Sequence, residues 1–136
     1  MLSAAPYEQT TDGVVVRVTP TFLPEESDAD AHRFVWAYTI EIENGTSDVV
    51  QLLSRFWRIT DANGLVQTVE GPGVVGQQPV LQPGERFRYT SACPLTTPSG
   101  MMVGTYRMLR PETGARFDIA VPAFALDPPD FLRRAH

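Results

Sequence analysis

The segment Phe34–Asn44, with the sequence FVWAYTIEIEN, decides the fold of this chain. It contains neither glycine nor proline, and every second residue in it is large and apolar. The alternating residues are Phe34, Trp36, Tyr38, Ile40 and Ile42. A period of two places alternate side chains on opposite faces of a strand, whereas a helix requires a period of 3.6. The segment therefore predicts a β-strand with one buried face.

A second strand pattern follows after the turn sequence Asn44-Gly45-Thr46-Ser47. Residues 49–60 alternate between two sets of side chains, which we expect on opposite faces of one strand. The first set is Leu53, Arg55, Trp57 and Ile59, and the second set is Leu52, Ser54, Phe56 and Arg58. We expect the tryptophan of each of the two strands to lie in a core between two packed sheets.

Glycine and proline divide the rest of the chain into short segments. Five of these segments show further strand patterns, at residues 14–19, 65–70, 87–93, 105–109 and 116–121. For the first we expect an edge strand, because Pro20 ends it. About seven or eight short antiparallel strands without an amphipathic helix predict an all-β sandwich of immunoglobulin-like or fibronectin type III-like arrangement.

We expect a single domain over residues 1–136, with a core of about residues 7–128 and loosely held ends.

No apolar run approaches the ~18 residues that a membrane helix needs. The first twelve residues lack the basic cluster and apolar stretch of a signal peptide. Cys93 is the only cysteine, which excludes an internal disulfide and is typical of a cytoplasmic protein.

The charge balance also restricts the choice of partners. Eleven basic residues, all of them arginine, stand against sixteen acidic residues, so the formal net charge is −5. Affinity for nucleic acid comes mainly from neutralising phosphates, and no basic stripe offsets the acidity of this chain. We therefore expect neither a nucleic acid nor a membrane as partner.

A glycine-rich motif, G-x-G-x-x-G, lies at residues 71–76 and is called the glycine loop below. Dinucleotide binding by such a motif requires a helix that begins within it, and Pro79 and Pro83 leave no room for one. Backbone N–H groups of the loop could still hold a phosphate. The candidates are Gly71, Gly73, Val74, Val75 and Gly76. Alternatively, the glycines serve only a tight connection or a bulge.

Two neighbouring residues of the second strand are candidates for an interaction surface. Phe56 and Arg58 share the face opposite Trp57, and an aromatic residue beside an arginine is a common composition of protein interfaces. Ordinary partial burial is the alternative. Arg55 lies on the Trp57 face, where we expect its stem packed and its head solvated or paired at the rim of the sheet.

Four acidic residues lie close together before the first long strand: Glu25, Glu26, Asp28 and Asp30. Oxygen ligands at this density are weak candidates for a hydrated divalent cation, but a solvated acidic loop is the favoured explanation. An EF-hand would need a glycine where Arg33 stands. His32 and His136 are the only histidines, and neither has the context of a catalytic triad or a zinc site. We expect no enzyme, no cofactor and no specific metal site.

Several segments together resemble the bacterial ApaG family, also called CorD. They are residues 34–44, 50–64 (VQLLSRFWRITDANG), 69–83 (VEGPGVVGQQPVLQP), 87–95 (FRYTSACPL) and 100–106 (GMMVGTY). The resemblance implies a fibronectin-like β-sandwich, and related eukaryotic domains look like binding modules. It also implies an association with cobalt and magnesium efflux or resistance, and with a neighbouring diadenosine tetraphosphate hydrolase. The family pattern usually has an acidic residue at Pro72 and often a histidine at Phe56, and it supplies no catalytic residues.

These observations predict a binding or adaptor module that docks a protein partner on a sheet face or on the glycine loop. The alternative is a module that binds a phosphate or a dinucleoside polyphosphate through Gly71–Gly76, assisted by an arginine. A second alternative is weak binding of a divalent cation. Homodimerisation is a further expectation, since sandwiches leave sheet edges that pairing can cover.

Overall fold

Two antiparallel sheets account for most of residues 7–128, which a computed structural model describes. The strands are β1 (Tyr7–Thr11), β2 (Val14–Phe22), β3 (Phe34–Asn44), β4 (Val50–Asp61), β5 (Val66–Pro72), β6 (Val80–Leu81), β7 (Arg86–Leu95), β8 (Gly100–Arg110) and β9 (Ala115–Leu126). The first sheet has the order β1-β2-β3-β7. The second has the order β5-β4-β8-β9, and β6 pairs with β4 beyond the end of β5. Two single-turn 3₁₀ helices, Pro24–Glu26 and Ala29–Ala31, connect β2 to β3.

This architecture confirms the all-β antiparallel sandwich and is consistent with the immunoglobulin-like and fibronectin type III-like class. Residues 7–128 contain nine strands, which is more than the seven or eight predicted. The prediction missed the two-residue β6 and the first strand, β1, because neither has a strand pattern of its own in the sequence. The predicted loose ends lie outside the described residues, apart from Tyr7, which begins β1, and Pro128. No helix within residues 7–128 is long and apolar enough to cross a membrane.

The core lies between the sheets and is centred on the indole of Trp57, which is 3% exposed. Its ring meets Tyr38 of the first sheet at 5.5 Å and Phe124 of β9 at 5.9 Å, both edge to face. Gly104 of β8 makes room for the indole, since a Cβ there would lie 2.6 Å from two ring carbons. Trp36 is also buried, so the predicted core position of both tryptophans is confirmed.

A β-bulge changes the predicted faces of β4. Leu52 pairs with Met108 of β8, but the next pair joins Ser54 to Arg107, so that Leu53 is an extra residue. The extra residue reverses the alternation, and Leu52 lies 1% exposed on the same side as Trp57. The prediction that Leu53 belongs to the Trp57 face and Leu52 to the opposite face is therefore wrong. Alternation beyond the bulge follows the prediction.

The segment predicted as an edge strand is an inner strand. β2 runs from Val14 to Phe22, between β1 on one side and β3 on the other. Pro20 does not end it, because the last pair with β1 joins Tyr7 to Val18 and the proline lies beyond this pair. The short β1 was missed because its sequence, YEQTT, has no apolar alternation.

Because of the bulge, we expect the same substitution, leucine to alanine, to lower the free energy of unfolding by different amounts at positions 52 and 53. Leu52→Ala should lower the free energy of unfolding by about 2–5 kcal/mol, since it leaves a cavity in the core. Leu53→Ala should cost about 1 kcal/mol or less, because that side chain is only partly buried. Urea denaturation of both variants measures the difference. Equal costs, or a larger cost for Leu53→Ala, would contradict the assigned faces.

Candidate functional site

The outer face of the second sheet carries a group of exposed apolar side chains. Phe56 and Arg58 of β4 point away from the core, and their pairing partners on β5 and β8 lie on the same face. Arg58 lies directly opposite Val103, while Thr60 lies opposite both Val66 and Met101. We call the set the outer patch: Phe56, Arg58, Val66, Met101 and Val103.

The structure therefore brings the two predicted surface residues together with three that the sequence analysis missed. Exposure is 39% for Phe56, 58% for Val66, 47% for Met101 and 40% for Val103, so these apolar side chains are not covered. The same face also carries Glu70 opposite Phe56 and Thr68 opposite Arg58. No ion pair within residues 7–128 involves Arg58, which leaves a cation at the centre of the patch. No signal in the sequence identifies the three added residues, since their place depends on strand register.

The outer face of the first sheet has the opposite character. Arg17 of β2 forms ion pairs of 2.8–2.9 Å with Glu8, Glu41 and Glu43 on the adjacent strands. These bonds raise the pKa of the Arg17 guanidinium, and the bond to Arg17 lowers the pKa of Glu43. Arg86 also lies within 4 Å of Glu41 and Glu43, so most of the charge on this face is paired. Arg88 is exposed there and forms no ion pair within residues 7–128.

The glycine loop begins within the last two residues of β5 and runs along β4 at the bulge. The N–H of Gly73 donates to the carbonyl oxygen of Leu53 at 2.8 Å, and Val74 exchanges two backbone hydrogen bonds with Gln77. Gly73 has a φ of +62°, and a Cβ there would lie 2.3 Å from the Gln77 carbonyl oxygen. The chain then enters β6 without forming a helix, as the sequence predicts.

The tip of the loop is strained. Val75 and Gly76 form a two-residue turn in which both φ angles are positive, +43° and +78°. A β-branched residue rarely adopts this left-handed conformation, which costs an L-residue about 1–2 kcal/mol. Val75 is 52% exposed and therefore gains little from burial in return. The N–H groups of these two residues have no partner within residues 7–128.

Arg55 lies beneath the glycine loop, on the inner side of β4. Its Nη1 donates to the carbonyl oxygens of Pro72 at 3.0 Å and Gly73 at 2.9 Å, so the guanidinium fastens the loop to the sheet. Beside it is a cavity of about 330 Å³, which is also lined by Tyr38, Tyr89 and the loop tip. The predicted place of Arg55 on the Trp57 face is thus observed, with backbone carbonyls as its partners.

Hydroxyl and thiol groups near Arg55 remain protonated at neutral pH. Burial raises the pKa of Tyr38, of Tyr89 and, most strongly, of Tyr106. The hydroxyls of Tyr89 and Tyr106 are hydrogen-bonded to each other. Burial also raises the pKa of the Cys93 thiol to about 11, which leaves it a poor nucleophile.

The acidic residues before β3 are not assembled around a common point. Asp28 uses its carboxylate to cap the second 3₁₀ helix, accepting from the N–H groups of Asp30 and Ala31. Glu25 and Glu26 lie on the first 3₁₀ helix, and all four acidic residues are exposed. No group of three or more potential metal ligands occurs in the part of the chain that the structure describes.

Two packed antiparallel sheets, joined by short turns, place the chain among the β-sandwich domains. The ApaG domain profile matches residues 24–110. Protein ApaG of Beijerinckia indica is 56% identical over 123 residues, covering 90% of this chain and 94% of its own. Protein ApaG of Methylocella silvestris is 54% identical over 128 residues, covering 94% and 97%. This chain therefore belongs to the ApaG family, as its sequence segments predict.

A solved structure agrees with this assignment. The crystal structure of a Bordetella pertussis protein described as ApaA superposes with a TM-score of 0.83 at 49% sequence identity. The superposition covers 85% of this chain and 94% of that protein. The similarity thus includes the sandwich as a whole.

The strained loop tip gives a prediction about stability. Val75→Asn should raise the free energy of unfolding by about 0.5–1 kcal/mol, since asparagine tolerates a positive φ in this type of turn. Val75→Ile keeps the β-branch and should change it by less than about 0.5 kcal/mol. Thermal and urea denaturation measure both variants. A loss of stability in Val75→Asn would mean that the turn conformation is not the source of strain.

Proposed function

We propose that this ApaG-family chain is a non-enzymatic binding module that docks a protein partner on the outer patch. The observation that carries the proposal is the unpaired Arg58 among exposed apolar side chains on one sheet face. Interfaces typically combine aromatic residues, methionine and arginine in this way. The outer face of the opposite sheet, where Arg17 and Arg86 are paired with Glu8, Glu41 and Glu43, serves as an internal contrast on the same molecule.

The composition of the patch indicates the chemistry of the partner. Phe56, Met101 and Val103 favour a flat apolar surface that can exclude water. Arg58 favours a carboxylate or another anion near the centre of that surface, because a guanidinium forms its strongest hydrogen bonds with charged acceptors. The partner we propose is therefore a protein with an apolar face and an acidic side chain within it.

Direct binding measurements test this docking. A partner captured with the tagged chain is purified and titrated by calorimetry against Phe56→Ser and Arg58→Glu. Each substitution should weaken binding by about tenfold or more, which is the usual effect at a central interface residue. Arg88→Glu is the matched control, since it reverses an exposed charge on the outer face of the first sheet. Binding that ignores both patch variants would refute the proposal.

A second copy of this chain is the alternative occupant of the patch. Light scattering on the purified chain measures its mass in solution, and the Arg58→Glu variant shows whether any dimer depends on the patch. If Arg58→Glu dissociates a dimer of the chain, the occupant of the outer patch is a second copy of this chain and not another protein.

Binding of a phosphate or a dinucleoside polyphosphate at the glycine loop is the second candidate function. The position of Arg55 beneath the loop favours it, because a guanidinium is the group that best matches phosphate geometry. The association with cobalt and magnesium efflux is a proposal that comes from the family resemblance. Weak cation binding is a proposal that comes from the acidic residues before β3. No geometry within residues 7–128 adds to them.

A thermal-shift panel of nucleotides, dinucleoside polyphosphates and pyrophosphate tests the second candidate. A ligand at a hundredfold excess over its Kd should stabilise the folded chain by about 2.7 kcal/mol, which raises the Tm measurably. Sodium sulfate at matched ionic strength is the control for general salt effects. Absence of any shift at millimolar concentrations would exclude this function.

A further inference from the structure

Only one nitrogen of the Arg55 guanidinium is used by the fold. Nη1 donates to both loop carbonyls, whereas Nε and Nη2 form no hydrogen bond within residues 7–128. These two nitrogens lie on the same edge of the planar group, which is the edge that binds carboxylate or phosphate in a bidentate way. Neither is buried, since no buried side-chain nitrogen or oxygen lacks a partner among the described residues.

The backbone leaves space for this guanidinium. Gly71 of β5 lies against it, and a Cβ there would come within 3.3 Å of Nη1 and 3.5 Å of Nη2. A side chain at this position would therefore cover the group. Gly71 has no positive φ that requires glycine, and a Cβ at this position would displace the guanidinium of Arg55 by a few tenths of an ångström.

The surroundings of Arg55 suit an anion. Two adjoining cavities, of about 330 and 320 Å³, share Tyr38, Arg55, Trp57 and Ser91, and no carboxylate lines either of them. Tyr38 and Ser91 are directly opposite each other on β3 and β7, and both residues line the two cavities. Each of these two hydroxyls has one proton that it can donate to a ligand. The cavities thus combine an unneutralised cation with two neutral donors.

The second cavity can hold the body of a ligand. It extends from Arg55 along β5 and is lined by apolar side chains of three strands, Ile59, Val69 and Met102. Sites for small molecules typically have volumes of about 300–1,000 Å³ and few polar groups, which fix the orientation of an otherwise apolar ligand. The two cavities together agree with this description.

We propose that the free Nε–Nη2 edge of Arg55 anchors the phosphate group of a small organic phosphate, with Ser91 and Tyr38 as the hydroxyl donors. The apolar or aromatic body of the ligand lies in the second cavity. This site rests on the second candidate function, and it is independent of the outer patch on the other side of β4. It places the anchor in the arginine beneath the glycine loop instead of in the N–H groups of the loop.

Phenyl phosphate is the probe, and the ¹⁵N signal of Arg55 Nε in NMR titrations is the readout. We expect a saturable shift of this signal and of the Val75 and Gly76 amides. Arg55→Lys keeps the positive charge but loses the bidentate edge, so it should weaken binding about tenfold or more. Ser91→Ala, which leaves Arg55 and the loop in place, should weaken it severalfold. Arg88→Lys, on the outer face of the first sheet, is the matched control and should have no effect.

Three results would overturn the site. The first is the absence of a saturable shift at Arg55 Nε, and the second is binding that is unchanged in both Arg55→Lys and Ser91→Ala. The third is benzoate binding as tightly as phenyl phosphate, since this would assign the site to carboxylates. A polyphosphate that raises the Tm without moving the Arg55 signal would refute this site while leaving the second candidate function standing.

Discussion

The packing of the Trp57 indole between the two sheets, against the backbone of Gly104, is the constraint on which the rest of the structure depends. Its edge-to-face contacts reach Tyr38 in the first sheet and Phe124 in the second. Because alternate residues of a strand point to opposite sides, an inward Trp57 forces Phe56 and Arg58 outward. The same residue that closes the core therefore exposes the outer patch.

The bulge at Leu53 is the second determinant, since it separates two parts of β4 with different roles. Before it, Leu52 packs in the core, and after it Arg55 lies on the inner side beneath the glycine loop. The extra residue leaves the Leu53 carbonyl oxygen free to accept from Gly73 and from the Gln78 side chain. The loop and the bulge are thus joined by hydrogen bonds. The close approach of the backbone explains the glycine at position 73, and the missing side chain at Gly71 leaves space for Arg55.

Three arginines show how one side chain serves different purposes in different surroundings. Arg17 is neutralised by three carboxylates and ties neighbouring strands together. Arg55 donates from Nη1 to the carbonyl oxygens of the loop, while its Nε and Nη2 form no hydrogen bond within residues 7–128. Arg58 has no ion pair within residues 7–128. Arg88 and Arg116 also form no ion pair within residues 7–128. Arg55 and Arg58 differ from them in their surroundings, which are cavities without a carboxylate and a group of exposed apolar side chains.

The period-two patterns of β3 and of the second half of β4 determined the strands, their buried faces and the outward position of Phe56 and Arg58. The same patterns could not reveal β1, the inner position of β2 or the bulge, because strand pairing depends on hydrogen bonds between segments distant along the chain. Only tertiary structure brought Val66, Met101 and Val103 to Arg58, and Tyr38 and Ser91 to Arg55. Local alternation fixes which way a side chain points, whereas register between strands decides what it meets.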